Sequence, residues 1–159
     1  MQACKPDTLI RNPQGCQVVS SVEIAAPAAS VWNIVGNFAG FPVFIPALAH
    51  IEMTGQGVRS VRKKLFKDGN VVIEQLNSRD DQAMNMTWSL IYTSLNIGNL
   101  WAAMEVAVVD GNRSRATWTI QAEPWEGGPE ALPGFQAFLQ AFLQGFADEA
   151  MGNVRNLLS

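Results

Sequence analysis

Arg62, Lys64 and Glu74 are the residues of this sequence whose types and spacing best suit chemistry. They fall within Val58 to Leu76, VRSVRKKLFKDGNVVIEQL, which reads as two strands joined by a turn at Asp68-Gly69-Asn70. Alternation along a strand sends Ser60, Arg62, Lys64 and Phe66 to one side and Val61, Lys63 and Leu65 to the other. With the first set inward, the partner strand adds Val72, Glu74 and Leu76, so two cations and a carboxylate face an otherwise apolar space. A folded interior tolerates such charges only when they are paired or wet, and the hairpin is therefore expected to form the polar wall of a ligand pocket. Two kinds of chemistry suit it. Arg62 or Lys64 can receive a carboxylate or hydroxyl of a bound molecule. Alternatively, Glu74 acts as a general base while Arg62 stabilises an enolate. An Arg62–Glu74 pair that only satisfies both charges is compatible with either.

The other reactive side chains are sparse. His50 is the sole histidine, and it lacks the second imidazole or cysteine cluster that a transition-metal site needs and an evident partner to orient it as a base. Cys4 and Cys16 have no histidines near them and do not form a zinc set; they are expected to be free thiols in a reducing compartment, with a disulfide as the alternative. No metal and no cofactor is expected. No nucleophile with an adjacent base and no glycine-rich phosphate loop is evident.

Eleven Lys and Arg against 14 Asp and Glu give a formal charge of -3, without the basic excess that marks nucleic-acid binding. No apolar run approaches the roughly 20 residues of a membrane span. The start, MQACKPDTLIRNPQGC, lacks the apolar core and basic flank of a secretory signal, so the expected location is cytoplasmic.

These side chains need a scaffold, and 159 residues suffice for one domain with a sizeable core. Residues 1–16 show no periodicity and read as an irregular arm, leaving 17–159 as the domain. QVVSSVEIAA alternates as a strand. Pro27 then suits the first turn of a helix whose apolar face is Val31, Trp32, Ile34 and Val35, stopped by Gly36. FAGFPVFIPAL follows as a short apolar helix or turn between Gly40, Pro42 and Pro46. Six strands are expected next, at His50–Gly55, Ser60–Phe66, Val71–Asn77, Met84–Tyr92, Leu100–Val109 and Arg113–Glu123, with turn residues between them. Together with the first strand they make an antiparallel sheet of about seven strands, wide enough to curl. After Pro133-Gly134, FQAFLQAFLQGFADEAMGNVRNLLS has the spacing of one long helix with a broad apolar face. Gly145 and Gly152 inside it point to close packing, to space kept open, or to ordinary tolerated glycines.

In this order of elements the sequence resembles the START-like helix-grip (SRPBCC) superfamily, which includes the bacterial polyketide cyclase/dehydrase family, birch-pollen-allergen-like proteins, START lipid-transfer domains and plant abscisic acid receptors. VEIAAPAASVWNIVGNFAGFPVFIP is similar to the family's strand, proline, tryptophan helix and F-x-x-x-P segment. GQGVRSVRKKL resembles its G-x-G-S-x-R strand, and VVIEQLNSRDD its E-R-L-x-x-x-D-D strand. The resemblance covers roughly residues 17 to 158. It implies an α+β helix-grip fold, with a curved seven-stranded antiparallel sheet wrapped around a long C-terminal helix and two short helices after the first strand.

The resemblance also implies a cavity. Carried over by position, its wall takes Arg62, Lys64 and Phe66 from one strand and Val72, Glu74 and Leu76 from the next. Trp88, Leu90, Leu100, Ala102, Met104, Trp118 and Ile120 follow from the later strands, and Phe135, Phe138, Phe142 and Phe146 form the helix floor. Arg59 stands where relatives often have glycine, and Leu100 where many carry a cavity tyrosine. Lys67–Asn70 and Thr93–Asn99 match by position the loops over the pocket of the plant receptors, without those receptors' loop sequences. The expected function is binding of a small hydrophobic or amphipathic ligand, as carrier or sensor. The alternatives are a polyketide cyclase, aromatase or dehydratase using Glu74 and Arg62, and a homodimeric or partner-binding module docking through Trp101 or Trp125.

Overall fold

The computed structural model describes residues 16–124 and 129–159. Its strands are β1 (Gln17–Ile24), β2 (Leu48–Thr54), β3 (Val61–Phe66), β4 (Val71–Asp80), β5 (Asn85–Thr93), β6 (Asn99–Asp110) and β7 (Arg113–Glu123). They form one sheet in the order β1-β7-β6-β5-β4-β3-β2. Each neighbouring pair is antiparallel. Five of the six junctions are hairpins between consecutive strands; only β1 finds its partner far along the chain, placing Gln17 opposite Gln121 and Ile24 opposite Ser114. Register shifts between Ile73 and Glu74 and between Leu76 and Ser78 interrupt β4 on both sides of Glu74. Such bulges bend a strand and sharpen its twist.

Helix α1 (Ala28–Val35) buries Ala28, Val31, Trp32 and Val35. Pro27 is its N-cap, one residue before the first helical position expected for it. Gly36 closes the helix in a right-handed conformation, so its role is not a left-handed turn. A Cβ there would collide with the Trp32 indole, which makes close approach the reason for glycine. The second helix expected in this region is a single 3-10 turn, Phe41–Val43. Pro42 and Pro46 lack the N–H donors a longer helix needs there.

At the other end of the chain, α2 (Leu132–Leu139) runs through a π turn at Gln140–Gln144 into α3 (Gly145–Leu157). The helix thus starts at Leu132, with Pro133 and Gly134 inside its first turn rather than before it; proline is tolerated there because the first helical N–H groups have no partner inside the helix. Leu139, Leu143, Ala147, Ala150, Met151 and Val154 are buried against the sheet. A long helix gripped by a seven-stranded antiparallel sheet is the helix-grip fold. Neither Gly145 nor Gly152 has a heavy atom within 4 Å of a built Cβ, so close packing does not explain either glycine.

The rotation of the helix is fixed by a polar row. Gln136 accepts from the Gln17 backbone N–H at 2.8 Å and donates to its carbonyl at 2.9 Å. Gln144 donates to the Val19 carbonyl at 2.9 Å, and the Ser20 hydroxyl donates to Asp148 at 2.6 Å. The glutamine bonds satisfy backbone groups of the edge strand β1 that would otherwise be free to recruit another strand. No helix among the described residues is long and apolar enough to cross a membrane.

Candidate functional site

The β3–β4 hairpin sets the geometry of the site. Its turn needs Gly69 at φ 93°, and its register puts Arg62 opposite Glu74 and Lys64 opposite Val72. Arg62, Lys64 and Glu74 all face inward and are 0%, 5% and 3% exposed. Arg62 Nε donates to Glu74 Oε1 at 2.9 Å and Nη1 to the Phe38 carbonyl at 2.7 Å. Its Nη2 lies 2.8 Å from the same carboxylate oxygen, close enough for charge attraction but misaligned for a hydrogen bond. The guanidinium carbon sits 3.8 Å from the Phe38 ring centre, 4.1 Å from Phe41 and 4.9 Å from Trp88. Lys64 Nζ reaches Glu74 Oε1 at 3.1 Å.

Three buried groups thus share one oxygen and carry one net positive charge. Burial pushes the pKa of both Lys64 and Arg62 down, against the pull of Glu74. Burial alone would push the Glu74 carboxyl up, but Lys64 and Arg62 more than offset this and hold it below the ordinary glutamate value. Glu74 is therefore a carboxylate in the folded protein.

Beside this cluster lies a cavity of about 200 Å³ between the sheet and the C-terminal helix. Strands β3 and β4 contribute Lys64, Phe66, Val72 and Glu74 to its wall, and the later strands contribute Trp88, Leu100, Ala102, Trp118 and Ile120. Phe142, Leu143 and Phe146 close it from the helix. Ala47 and two loops complete the lining through Asp68, Asn70, Leu95 and Ile97. The loops are clasped together: the Ser94 hydroxyl donates to Asn70 Oδ1 and accepts from the Val71 N–H, each at 2.9 Å. Among the described residues, no group of three or more His, Cys, Asp or Glu side chains is arranged to hold a metal ion.

Six residues expected in this wall lie elsewhere. Arg62 is sealed behind it by its aromatic neighbours. Leu76 lines a separate open groove. Leu90 and Met104 are buried in the same hydrophobic core as the wall residues but do not border the cavity. Phe135 packs by Gly98, and Phe138 is 39% exposed, stacked on Phe142 at 5.6 Å. On the helix side the cavity is therefore bordered by Leu143, Phe146 and Phe142, the last itself 46% exposed, not by four phenylalanines. The glutamine row on β1 and the π turn set a helix phase that plain helical spacing does not predict. Gln136, Gln140 and Gln144, four residues apart, are the sequence signal for that phase.

The remaining groups stay apart from the cavity. His50 is exposed on β2, 3.3 Å from Glu52. The Cys16 thiol is buried, donates to the Leu132 carbonyl at 3.5 Å, and has its pKa raised by burial and by Glu123. Trp101 is 1% exposed in β6 and packs with Ala103 in a separate cluster, so it is not an exposed docking residue. Cys4, Trp125 and nearly all of the arm fall outside the described residues.

Residues 15–158 match the family described as polyketide cyclase / dehydrase and lipid transport. Among solved structures, the protein XoxI from Bacillus cereus is similar at 22% identity and a TM-score of 0.75, covering 90% of this chain and 95% of that one. The ZhuI aromatase/cyclase of a Streptomyces species gives 16% identity and a TM-score of 0.75, over 89% of this chain and 92% of its own. Norcoclaurine synthase from Thalictrum flavum gives 17% and 0.67, over 89% and 84%. No curated protein matches. At these identities the likeness to solved structures is one of fold.

Proposed function

The chain belongs to the polyketide cyclase / dehydrase and lipid transport family, and we propose that its cavity binds one small amphipathic molecule, apolar along most of its length, with a carboxylate or other acceptor group set against Lys64. The observation that carries this reading is the lining itself: a largely apolar chamber whose wall carries Lys64 and Glu74 deep on the hairpin and Asp68 in the turn, with Lys64 and Arg62 together placing two cations on the one Glu74 carboxylate. An anionic or acceptor group beside Lys64 balances that charge where water is scarce, the setting in which charge-assisted hydrogen bonds are strongest. The volume, about 200 Å³, is below the roughly 300–1,000 Å³ of pockets for drug-sized ligands and favours a compact occupant.

A proton-transfer enzyme built on Glu74 is the weaker reading. A general base works best with a pKa near the working pH, and the two cations drive this carboxyl the other way. Native mass spectrometry of the protein recovered from cell extract tests the choice. Binding predicts one lipophilic adduct, released unchanged on denaturation and lost in Lys64→Met. Recovery of a folded protein without any adduct, and without affinity for added octanoate, contradicts it. Turnover of the recovered compound that disappears in Glu74→Gln favours the enzyme.

A further inference from the structure

Among the described residues, three side chains keep a buried polar atom without a hydrogen bond: Arg62 Nη2, Gln121 Oε1 and Trp118 Nε1. Native interiors leave few such groups, and each calls for an explanation. Arg62 Nη2 has one, since it lies 2.8 Å from the Glu74 carboxylate. Gln121 follows Ile120, which lines the cavity, so strand alternation turns it to the opposite face of the sheet. Trp118 is the remaining case, and it stands in the cavity wall. The rings packed against it are Phe41, Trp88 and Phe146, at 6.1, 6.4 and 6.2 Å between centres, and none of them offers an oxygen. Trp32 shows the ordinary solution: it is buried on α1, and its Nε1 donates to Asp81 at 2.9 Å. A phenylalanine at position 118 would bury a ring without orphaning a donor, as Phe41 and Phe146 do beside it.

We infer that Trp118 is the second polar contact of the guest: its indole N–H donates to an acceptor oxygen, such as a ketone, carried on the guest's apolar part and separate from the group at Lys64. This inference rests on the binding role proposed above and narrows it to molecules with two acceptor groups. Nε1 is closed to water, so the contact requires the indole to turn toward the guest, a side-chain adjustment common at binding surfaces. Having no water to give up, the donor carries no desolvation cost of its own when the oxygen arrives. A guest without that oxygen leaves the N–H as it found it, and the difference between the two guests is the specificity that Trp118 supplies.

The test titrates octanoate and a set of keto-octanoates, with the carbonyl moved one carbon at a time along the chain, into wild type and Trp118→Phe by calorimetry. It also follows the Trp118 indole signal of ¹⁵N-labelled wild type. One position of the ketone should raise wild-type affinity about 3- to 10-fold over octanoate and move the indole proton further downfield than octanoate does. In Trp118→Phe the ratio of those two affinities should fall to about one. A wild type that binds octanoate yet prefers no keto isomer, or a preference that survives in Trp118→Phe, overturns the inference and leaves the binding role standing. Octan-2-one, which has the ketone but no carboxylate, separates the remaining cases. If no carboxylate binds, a saturable indole shift with octan-2-one keeps the donor and removes the anion at Lys64, whereas no shift removes both. Should Trp118→Phe fail to fold, the keto preference and the indole shift of wild type decide.

Discussion

Arg62 and Lys64 are two residues apart on one strand, carry the same charge and meet the same oxygen of Glu74, yet their surroundings are opposite. Arg62 is encased, with aromatic rings against its guanidinium and the Phe38 carbonyl on one nitrogen. Among the described residues, Lys64 has Glu74 alone as ion partner, and it stands in the cavity wall. Guanidinium is weakly hydrated and planar, so aromatic stacking compensates much of its burial, whereas an ammonium is compact and strongly hydrated. One cation is bound into the framework; the other borders the cavity, where the proposed guest would meet it. A buried charge in a ligand-binding fold is therefore assigned by what surrounds it, not by its distance from the cavity.

The comparison can be broken most forcefully at the shared carboxylate. Glu74→Ala leaves two buried cations without their partner and should cost about 3–5 kcal/mol in urea unfolding. Arg62→Met keeps a neutral Lys64–Glu74 pair but abandons the stacking and the Phe38 carbonyl; a loss of about 2–4 kcal/mol is expected, and octanoate affinity in the folded fraction should fall by less than in Lys64→Met, because the excess charge is lost but the Lys64 ammonium remains in the wall. Lys64→Met removes the excess positive charge and leaves Arg62–Glu74 intact. Its stability should stay within about 1 kcal/mol of wild type while octanoate affinity falls roughly 10- to 100-fold by calorimetry. Equal effects of these last two variants on both readouts would erase the distinction.

Acid titration sharpens the same point. Glu74 has a lowered pKa in the folded state, so its contribution is complete above the unfolded value of about 4.3 and is lost as pH falls from there through the folded value. Glu74→Gln should flatten that part of the stability profile. The smallest effect is expected at Arg59, which holds φ 75° in the loop before β3. Arg59→Gly should relieve left-handed strain and raise stability by about 1 kcal/mol in thermal unfolding.

The strand ladder was legible in the sequence because period-2 alternation and turn residues such as Asp68-Gly69 and Asp110-Gly111-Asn112 are local signals. Arg113–Glu123 begins and ends where the alternation places it. The inward set Arg62, Lys64 and Glu74 was legible for the same reason: parity alone assigns a face. Which of them meets the cavity was not, because the Phe38 and Phe41 rings that seal Arg62 come from a loop some twenty residues away. The helix side also escaped in part, since Phe135, Phe138, Phe142 and Phe146 are equally apolar and the hydrogen bonds of Gln136 and Gln144 to β1 fix which of them border the cavity. The resemblance placed Lys67–Asn70 and Thr93–Asn99 beside the pocket, but the Ser94 clasp between them was silent, its partners Asn70 and Val71 lying in and just after the other loop.

The most direct test uses the tryptophan indole signals of ¹⁵N-labelled protein during titration with octanoate. Trp88 and Trp118 stand in the cavity wall, whereas Trp101 packs with Ala103 in a cluster of its own. The account predicts saturable shifts of the Trp88 and Trp118 signals, with Trp101 unmoved and the response lost in Lys64→Met. Unchanged signals for Trp88 and Trp118 at saturating octanoate, or shifts that persist undiminished in Lys64→Met, would contradict a cavity that receives its guest at Lys64.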